Sequence, residues 1–178
     1  VTVAVQNLIY DIAFTPGTIW VATFAGGLRK STDMGATWKR VVLPPDRLDS
    51  IKPTDTLNFA LQPVAGRFGP ESNLNHRLFS VIAVNDSTIY AGSAGGINIS
   101  TDNGISWRKV NRLNQTKPIS GNFIVAMGHN KNNNSIWAAS WRAEGSEEFF
   151  GVSVTTDGGN SWSTGLDGIS AHNFGFKG

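Results

Sequence analysis

The sequence predicts an all-β protein built from three copies of a four-stranded antiparallel unit. Two observations lead to this prediction. An eight-residue pattern occurs three times, at 31–38, 100–107 and 155–162. Each copy lies among short apolar stretches that are rich in β-branched residues and bounded by turn residues, as β-strands are. Repetition at a spacing of several tens of residues indicates an array of one supersecondary unit.

The repeated octet has the chemistry of a tight β-hairpin. In each copy an Asp precedes a Gly by two positions and a Trp by five. The Asp side chain accepts hydrogen bonds from backbone N–H groups ahead of it, and Gly supplies the positive φ of a sharp reversal. The Trp buries on the order of 200 Å² and anchors the hairpin. We therefore predict structural roles for Asp33, Gly35, Trp38, Asp102, Gly104, Trp107, Asp157, Gly159 and Trp162.

The three aspartates have a competing interpretation as acids or metal ligands. That interpretation is weaker, because each Asp has N–H groups of its own turn to satisfy it. The octet, Ser/Thr-x-Asp-x-Gly-x-Thr/Ser-Trp, resembles the Asp-box, also called the BNR repeat. This resemblance implies β-propeller blades, as in sialidases, some endoglucanases, sortilin-like receptors and photosystem-assembly factors. It implies no single chemistry, because these families share the box and not an activity.

Apolar stretches give each repeat its four strands. In the first repeat they lie at 8–14, 18–24, 27–32 and 37–42. Four short antiparallel strands make one propeller blade. The same pattern along the chain predicts a blade at 8–43, an inserted loop at 44–77, a blade at 78–112, a blade at 122–164 and the first strand of a next blade at 168–178.

Three blades do not close a propeller, since closed propellers have about four to eight. Two explanations are open. The chain is a fragment of a larger propeller, or copies of it assemble into a ring. The alternating residues at 1–5 and the strand-like end of the chain favour the fragment, which would pack against the remaining blades of a parent protein.

Composition limits the partners and cofactors. Fifteen basic against thirteen acidic residues give a net charge of only +2, and no Lys or Arg run supports nucleic-acid binding. No apolar run approaches the ~20 residues of a membrane helix, so no membrane insertion is predicted. The absence of cysteine rules out disulfides and thiolate zinc sites. His129 and His172 lack partners at metal-ligand spacing, so we expect no metal and no cofactor.

The two longest insertions should leave the blades on the side opposite the octets. Loop 44–77 connects a fourth strand to a first, and loop 141–150 connects a second strand to a third. An exposed Trp beside Arg and carboxylates suits a sugar or a peptide. The plainer alternative is that both insertions are tolerated surface loops. In that case Trp141 packs within the blade and Glu147-Glu148 forms a solvated turn. The candidate ligand-face residues are Arg47, Arg67, His76, Arg77, Trp141, Arg142 and Glu144.

The predicted function is a non-catalytic binding or scaffolding module for a glycan or protein ligand. It would belong to a secreted or surface protein, in an extracellular, cell-surface or periplasmic location. The alternative is part of a glycoside hydrolase, sialidase-like or endoglucanase-like, with catalytic residues partly outside this chain. No Arg is followed by an apolar residue and Pro, and both Tyr10 and Tyr90 lie in predicted strands, so a sialidase site is not evident. A third option is an assembly factor that docks a partner protein through arginines.

Overall fold

A computed structural model of the protein describes residues 8–57, 73–142 and 147–177. Two of the candidate ligand-face residues, Arg67 and Glu144, lie outside these ranges. The described residues form three antiparallel sheets and a single 3-10 turn at Leu74–His76, with no other helix.

Each sheet contains one octet repeat and is called a blade here. Blade 1 contains β1 (Ile9–Thr15), β2 (Thr18–Thr23), β3 (Gly27–Ser31) and β4 (Lys39–Arg40). Blade 2 contains β5 (Ser50–Ile51), β6 (Leu78–Ala83), β7 (Ile89–Ser93), β8 (Gly96–Ser100) and β9 (Trp107–Val110). Blade 3 contains β10 (Phe123–Asn130), β11 (Ser135–Trp141), β12 (Gly151–Thr155) and β13 (Ser163–Gly165). Neighbouring strands follow chain order except for β5, which pairs with β9. The all-β prediction with four-stranded antiparallel blades is confirmed.

Two segments depart from their expected form. Part of the loop expected at 44–77 is the short strand β5, in which Ser50 pairs with Arg108 and Ile51 with Trp107. The segment expected to begin a next blade at 168–178 contains no strand among its described residues. It packs against blade 3 instead, where the rings of Phe174 and Phe176 lie 6.3 and 6.4 Å from that of Trp137.

The hydrophobic cores lie between blades. One core joins side chains of β2 and β3 to side chains of β6, β7 and β9, and the other joins β7, β8 and β9 to β10 and β11. Blade 2 is consequently packed on both faces. Blades 1 and 3 each have one face that no described blade covers. The buried residues at the first junction include Trp20, Leu28, Leu78, Val81, Ile89 and Trp107, and those at the second include Tyr90, Ile97, Ile99, Ile124, Met127, Ile136 and Trp162.

An aromatic side chain from one blade packs toward the octet tryptophan of the next. The ring of Trp20, on β2, lies 6.4 Å from the ring of Trp107 in an edge-to-face arrangement. Tyr90, on β7, shares the second core with Trp162. Trp107 and Trp162 are buried as predicted, with 2% and 3% of their surface exposed.

The predicted burial of Trp38 is wrong, because 39% of its surface is exposed. Trp38 holds the same octet position as Trp107, which Trp20 of the preceding blade covers. No described blade precedes blade 1, so no described ring in the equivalent position covers Trp38. The octet alone does not bury its tryptophan, because burial needs the neighbouring blade.

Side chains on the first strands link the blades by hydrogen bonds. The carboxylate of Asp11 on β1 accepts bonds from the hydroxyl of Ser80 and the N–H of Val81 on β6, at 2.8 and 2.9 Å. The hydroxyl of Ser80 in turn accepts the N–H of Met127 on β10, at 3.1 Å. Asp11 and Ser80 hold equivalent positions in their blades, directly after a β-bulge. We call this series of bonds the inter-blade relay.

Trp107→Ala should lower the free energy of unfolding by about 3–5 kcal/mol, because it opens a cavity between two packed blades. Trp38→Ala should cost clearly less, because the Trp38 side chain already contacts solvent. Urea unfolding of the two variants beside the parent protein measures both changes. Equal losses would show that burial by the preceding blade is not what makes the octet tryptophan important.

Candidate functional site

The three octet turns share one hydrogen-bond pattern. In blade 1 the carboxylate of Asp33 accepts the N–H and the hydroxyl of Thr37, at 2.8 and 2.5 Å. The hydroxyl of Ser31 donates to Asp33 at 2.7 Å and accepts the N–H of Gly35 at 2.8 Å. The same bonds surround Asp102 and Asp157. The backbone bonding predicted for the three aspartates is confirmed.

These bonds keep the octet carboxylates ionised. The hydroxyl and the N–H of Thr37 lower the pKa of Asp33 to about 2. Burial opposes ionisation of Asp102, but bonds from Ser106 outweigh it and bring the pKa to about 2. Bonds from Ser161 lower the pKa of Asp157 as well. Among the described residues, no group of three His, Cys, Asp or Glu side chains is arranged to hold a metal ion. The hydrogen bonds of each octet aspartate hold its own turn in place.

The octet turns lie on one side of the array. The turn of blade 2 contacts the loop between the first and second strands, where the N–H of Asn103 donates to the carbonyl of Ser87 at 2.9 Å. It also reaches blade 1, where the hydroxyl of Thr15 donates to the side chain of Asn103 at 3.4 Å. The start of every first strand and the end of every second strand consequently lie on the opposite side.

A row of rings crosses that opposite side through all three blades. We call it the aromatic strip, and it consists of Tyr10, Phe24, Phe79, Phe123, Trp141, Phe150 and His172. The ring of Phe79 lies 5.0 Å from Tyr10, 5.6 Å from Phe24 and 4.6 Å from Phe123. The ring of Trp141 continues the row, at 6.0 Å from Phe123, 6.4 Å from Phe150 and 5.4 Å from His172. Such spacings are typical of directly packed aromatic pairs.

Irregularities in β1 and β6 turn two of these rings outward. Tyr10 and Phe79 are the bulged residues of β1 and β6, at the register shifts between Ile9 and Asp11 and between Leu78 and Ser80. A bulge re-aims a side chain away from the regular face of its sheet. Phe123 and Trp141 are a cross-strand pair whose rings stack with an interplanar angle of 9°.

The aromatic strip is accessible to a ligand. Tyr10, Phe150 and His172 are exposed, and the other four rings are half-buried. A cavity of about 480 Å³ opens beside the strip and is lined by β1, β6 and β10. Tyr10, Phe79 and His172 belong to both the strip and the cavity wall. An apolar surface of this kind, next to an open cavity, suits ligand binding.

The structure divides the sequence-predicted ligand-face residues. Trp141 belongs to the strip, while Arg47 and Arg142 are exposed. The expectation that His76 and Arg77 lie on an open ligand face does not match the structure, since they are only 1% and 5% exposed. Both residues lie at the junction of blades 1 and 2, beneath the surface that the sequence analysis assigned to them.

The buried residues have structural partners. The Nε2 atom of His76 accepts the N–H of Leu43 at 3.1 Å, which ties the end of blade 1 to the 3-10 turn. The guanidinium of Arg77 lies 5.3 Å from the ring centre of Phe24 and supports the strip from below. Glu148, expected in a solvated turn, is also buried, and it accepts two bonds from Asn122 at 3.1 and 3.0 Å.

Sequence reasoning missed most of the strip. Tyr10 and Phe79 precede the Asp of their octets by the same number of residues, so the repeat alignment could have paired them. An aromatic residue within an apolar strand is nevertheless expected in the core. Nothing in either strand signals the bulge that turns the ring outward.

No family description and no curated protein matches the chain. Solved structures match it in fold. The chain is 22% identical to an ancestral GH74 enzyme over 93% of its length and 19% of that chain, with a TM-score of 0.57. It is 17% identical to YCF48 bound to a D1 peptide, over 89% of its length and 41% of that chain, with a TM-score of 0.54.

A third match is the extracellular domain of BT4673 from B. thetaiotaomicron. It is 13% identical over 93% of this chain and 17% of that one, with a TM-score of 0.50. All three are β-propeller proteins, so the likeness shows that the three sheets have a propeller fold. The chain spans less than half the length of each. The described residues include no helix that could span a membrane.

The buried His76 should make stability depend on pH. Burial, and then the nearby charges of Arg40 and Lys109, lower the pKa of His76 from 6.5 to about 3. The unfolded chain therefore takes up a proton near pH 6.5 that the folded protein does not. As pH falls from about 6.5 towards 4, unfolding free energy should drop by up to about 1.4 kcal/mol per pH unit.

His76→Gln is the matched variant, because its side chain can still accept the N–H of Leu43 but does not titrate. Urea unfolding at several pH values should give a shallower slope for the variant between pH 6.5 and 4. The octet carboxylates lose their contribution to the free energy of unfolding only below about pH 4, since their pKa values are depressed from 3.8. Identical slopes for both proteins would contradict a neutral, buried His76.

Proposed function

We propose that this chain is a non-catalytic, propeller-type binding module whose ligand lies along the aromatic strip. The observation that carries the proposal is the continuity of the strip. Its rings belong to three separate blades, yet each lies within 6.4 Å of another, and all remain at least partly accessible. Aromatic side chains expose large, rigid apolar area and are enriched at binding hot spots. A packed blade interior requires no such outward row.

The polar groups beside the strip favour binding over hydrolysis. Retaining and inverting glycosidases mostly need two carboxyl groups free to act on either side of a sugar. The carboxylate of Asp11 is occupied by the inter-blade relay, and that of Glu148 is occupied by Asn122. Exposed groups at the rim, such as Tyr10 and Arg142, remain to orient a ligand. The ligand we propose is a glycan or a polypeptide segment, and both place apolar surface against aromatic rings.

The propeller neighbours support a binding role without fixing the ligand. One is a complex with a peptide, and another is the extracellular domain of a B. thetaiotaomicron protein. By analogy of fold we propose an extracellular, cell-surface or periplasmic location. The alternative function, part of a glycoside hydrolase, draws on the likeness to a GH74 enzyme. In that case catalytic carboxylates would come partly from outside this chain.

Glycan arrays and peptide libraries probed with the full chain should identify a ligand whose affinity depends on the strip. We expect the double variant Tyr10→Ser/Phe150→Ser to weaken binding by about tenfold or more, because it removes two exposed rings. Ile105→Ser is the matched control, since Ile105 is an exposed apolar residue in an octet turn on the opposite side. It should leave the affinity unchanged.

Two results would contradict the proposal. Binding that survives the double variant but is lost on changing the turn at 130–134 would place the ligand on the octet side. Hydrolysis of aryl glycosides by the chain, abolished by changing one carboxylate, would instead establish the enzymatic alternative.

A further inference from the structure

Blade 1 has an apolar face that no described residue of another blade covers. We call it the free face, and Ile12, Phe14 and Trp38 define it. Ile12 is 51% exposed, whereas its equivalents Val81 in blade 2 and Met127 in blade 3 are 1% and 6% exposed. The preceding blade buries each of those two equivalents. The free face is thus the continuation of an interface that the structure already forms twice.

The inter-blade relay ends at both outer blades. Within the relay, an acceptor on one blade binds the N–H of the next, as Asp11 binds Val81 and Ser80 binds Met127. The equivalent acceptor position of blade 3 is Ala126, whose side chain accepts no hydrogen bond. Blade 3 therefore offers no relay acceptor to a blade packed beyond it.

Blade 1 needs no relay acceptor from a preceding blade. The N–H of Ile12 is equivalent to those of Val81 and Met127, and it donates to the Oδ1 atom of Asp11, its own neighbour, at 2.9 Å. The other oxygen of Asp11 serves blade 2. The two outer faces are matched, since one supplies no acceptor and the other requires none.

The apolar parts of the two outer faces also match. Trp137 on β11 holds the position that Trp20 and Tyr90 hold on β2 and β7. Those two rings pack toward the octet tryptophans of the blades that follow them. A Trp137 ring laid against the free face would cover Trp38 in the same way. It would also lie over Gly35, where a Cβ built on the glycine would meet, among the described residues, the Trp38 ring alone within 4 Å.

We infer that the free face binds the Trp137 face of blade 3 in a second copy of this chain. The contact is heterologous, so each copy uses two different surfaces, and such contacts form rings when the rotation closes. Two copies bring about six blades together, within the range of about four to eight in closed propellers. This inference does not require a ligand on the aromatic strip, although Ile12 and Phe14 of the free face also line the cavity beside the strip.

The C-terminal segment competes with the second copy. Phe174 and Phe176 lie over Trp137, and Phe174 is close enough to Gly128 that an added Cβ there would meet it at 2.9 Å. The side chain of Asn132 donates to the carbonyl of Lys177 at 2.9 Å and holds the end of the segment. Association of two copies requires this segment to leave the Trp137 face, so removing its rings should strengthen association.

Sedimentation velocity over a range of concentrations tests the inference with the full chain. We expect the parent protein to form a reversible dimer. The Phe174→Ser/Phe176→Ser variant should dimerise at a concentration about tenfold lower than the parent protein. In that double-variant background, Phe14→Asp and Trp137→Ser should each prevent formation of the dimer. Leu113→Asp, at an exposed apolar site away from both faces, is the control and should change nothing.

Mixing distinguishes the heterologous contact from a symmetric one. The Phe14→Asp protein keeps an intact Trp137 face, and the Trp137→Ser protein keeps an intact free face. Each alone should be monomeric, and an equimolar mixture should give a dimer through the one intact pair of faces. A symmetric contact between two free faces would instead leave the Trp137→Ser protein dimeric by itself, which would overturn the inference.

Other results would also overturn it. One is that the parent protein and the Phe174→Ser/Phe176→Ser variant both stay monomeric up to their solubility limits. Another is that the dimer survives Phe14→Asp, and a third is that the equimolar mixture stays monomeric. Far-UV circular dichroism and thermal unfolding confirm that each variant is folded. If the Phe174→Ser/Phe176→Ser variant does not fold, the parent chain compared with its own Phe14→Asp variant decides the same question.

Discussion

The structure depends on the contact between each blade and the octet turn of the next. In blade 2 a Cβ on Gly104 would lie 2.5 Å from the ring of Trp20, so only glycine leaves room for that ring. Gly104 also has a φ of +78°, which favours glycine for a second reason. At the next junction a Cβ on Gly159 would lie 2.7 Å from Ile99. The octet glycine therefore forms the turn and admits the neighbouring blade.

This contact explains why the cores lie between blades and not within them. A four-stranded sheet buries apolar side chains only against another layer, so each blade needs a neighbour on both faces. Blade 2 has both, and its strands β7 and β8 are buried at every position. The inter-blade relay adds polar specificity, because its bonds form only when first strands lie in one register. Apolar packing and hydrogen bonding thus select the same blade arrangement.

The candidate ligand surface arises from departures from regular sheet structure. Bulges in β1 and β6 direct Tyr10 and Phe79 outward, and the relay residues that follow them turn inward to the neighbouring blade. The same kind of bulge therefore both positions the residues that link the blades and exposes the aromatic rings. The buried guanidinium of Arg77 beneath Phe24 shows that charged residues near this surface also serve packing. The strand count determines that the candidate ligand surface lies on the side opposite the octet turns. Tertiary contacts determine which residues are exposed on that side.

The sequence by itself determined the repeat, the strand order and the octet turns, because these depend on local patterns and on hydrogen bonds within a few residues. Asp33 and its turn were predictable for that reason. Only the tertiary structure decided that Trp38 is exposed while Trp107 is buried, that His76 and Arg77 lie inside, and that Tyr10 and Phe79 face a cavity. Each of these depends on a residue tens of positions away or on a bulge. Local periodicity carries no information about distant contacts or about bulges, because the burial of a side chain depends on the neighbouring blade as well as on its own strand.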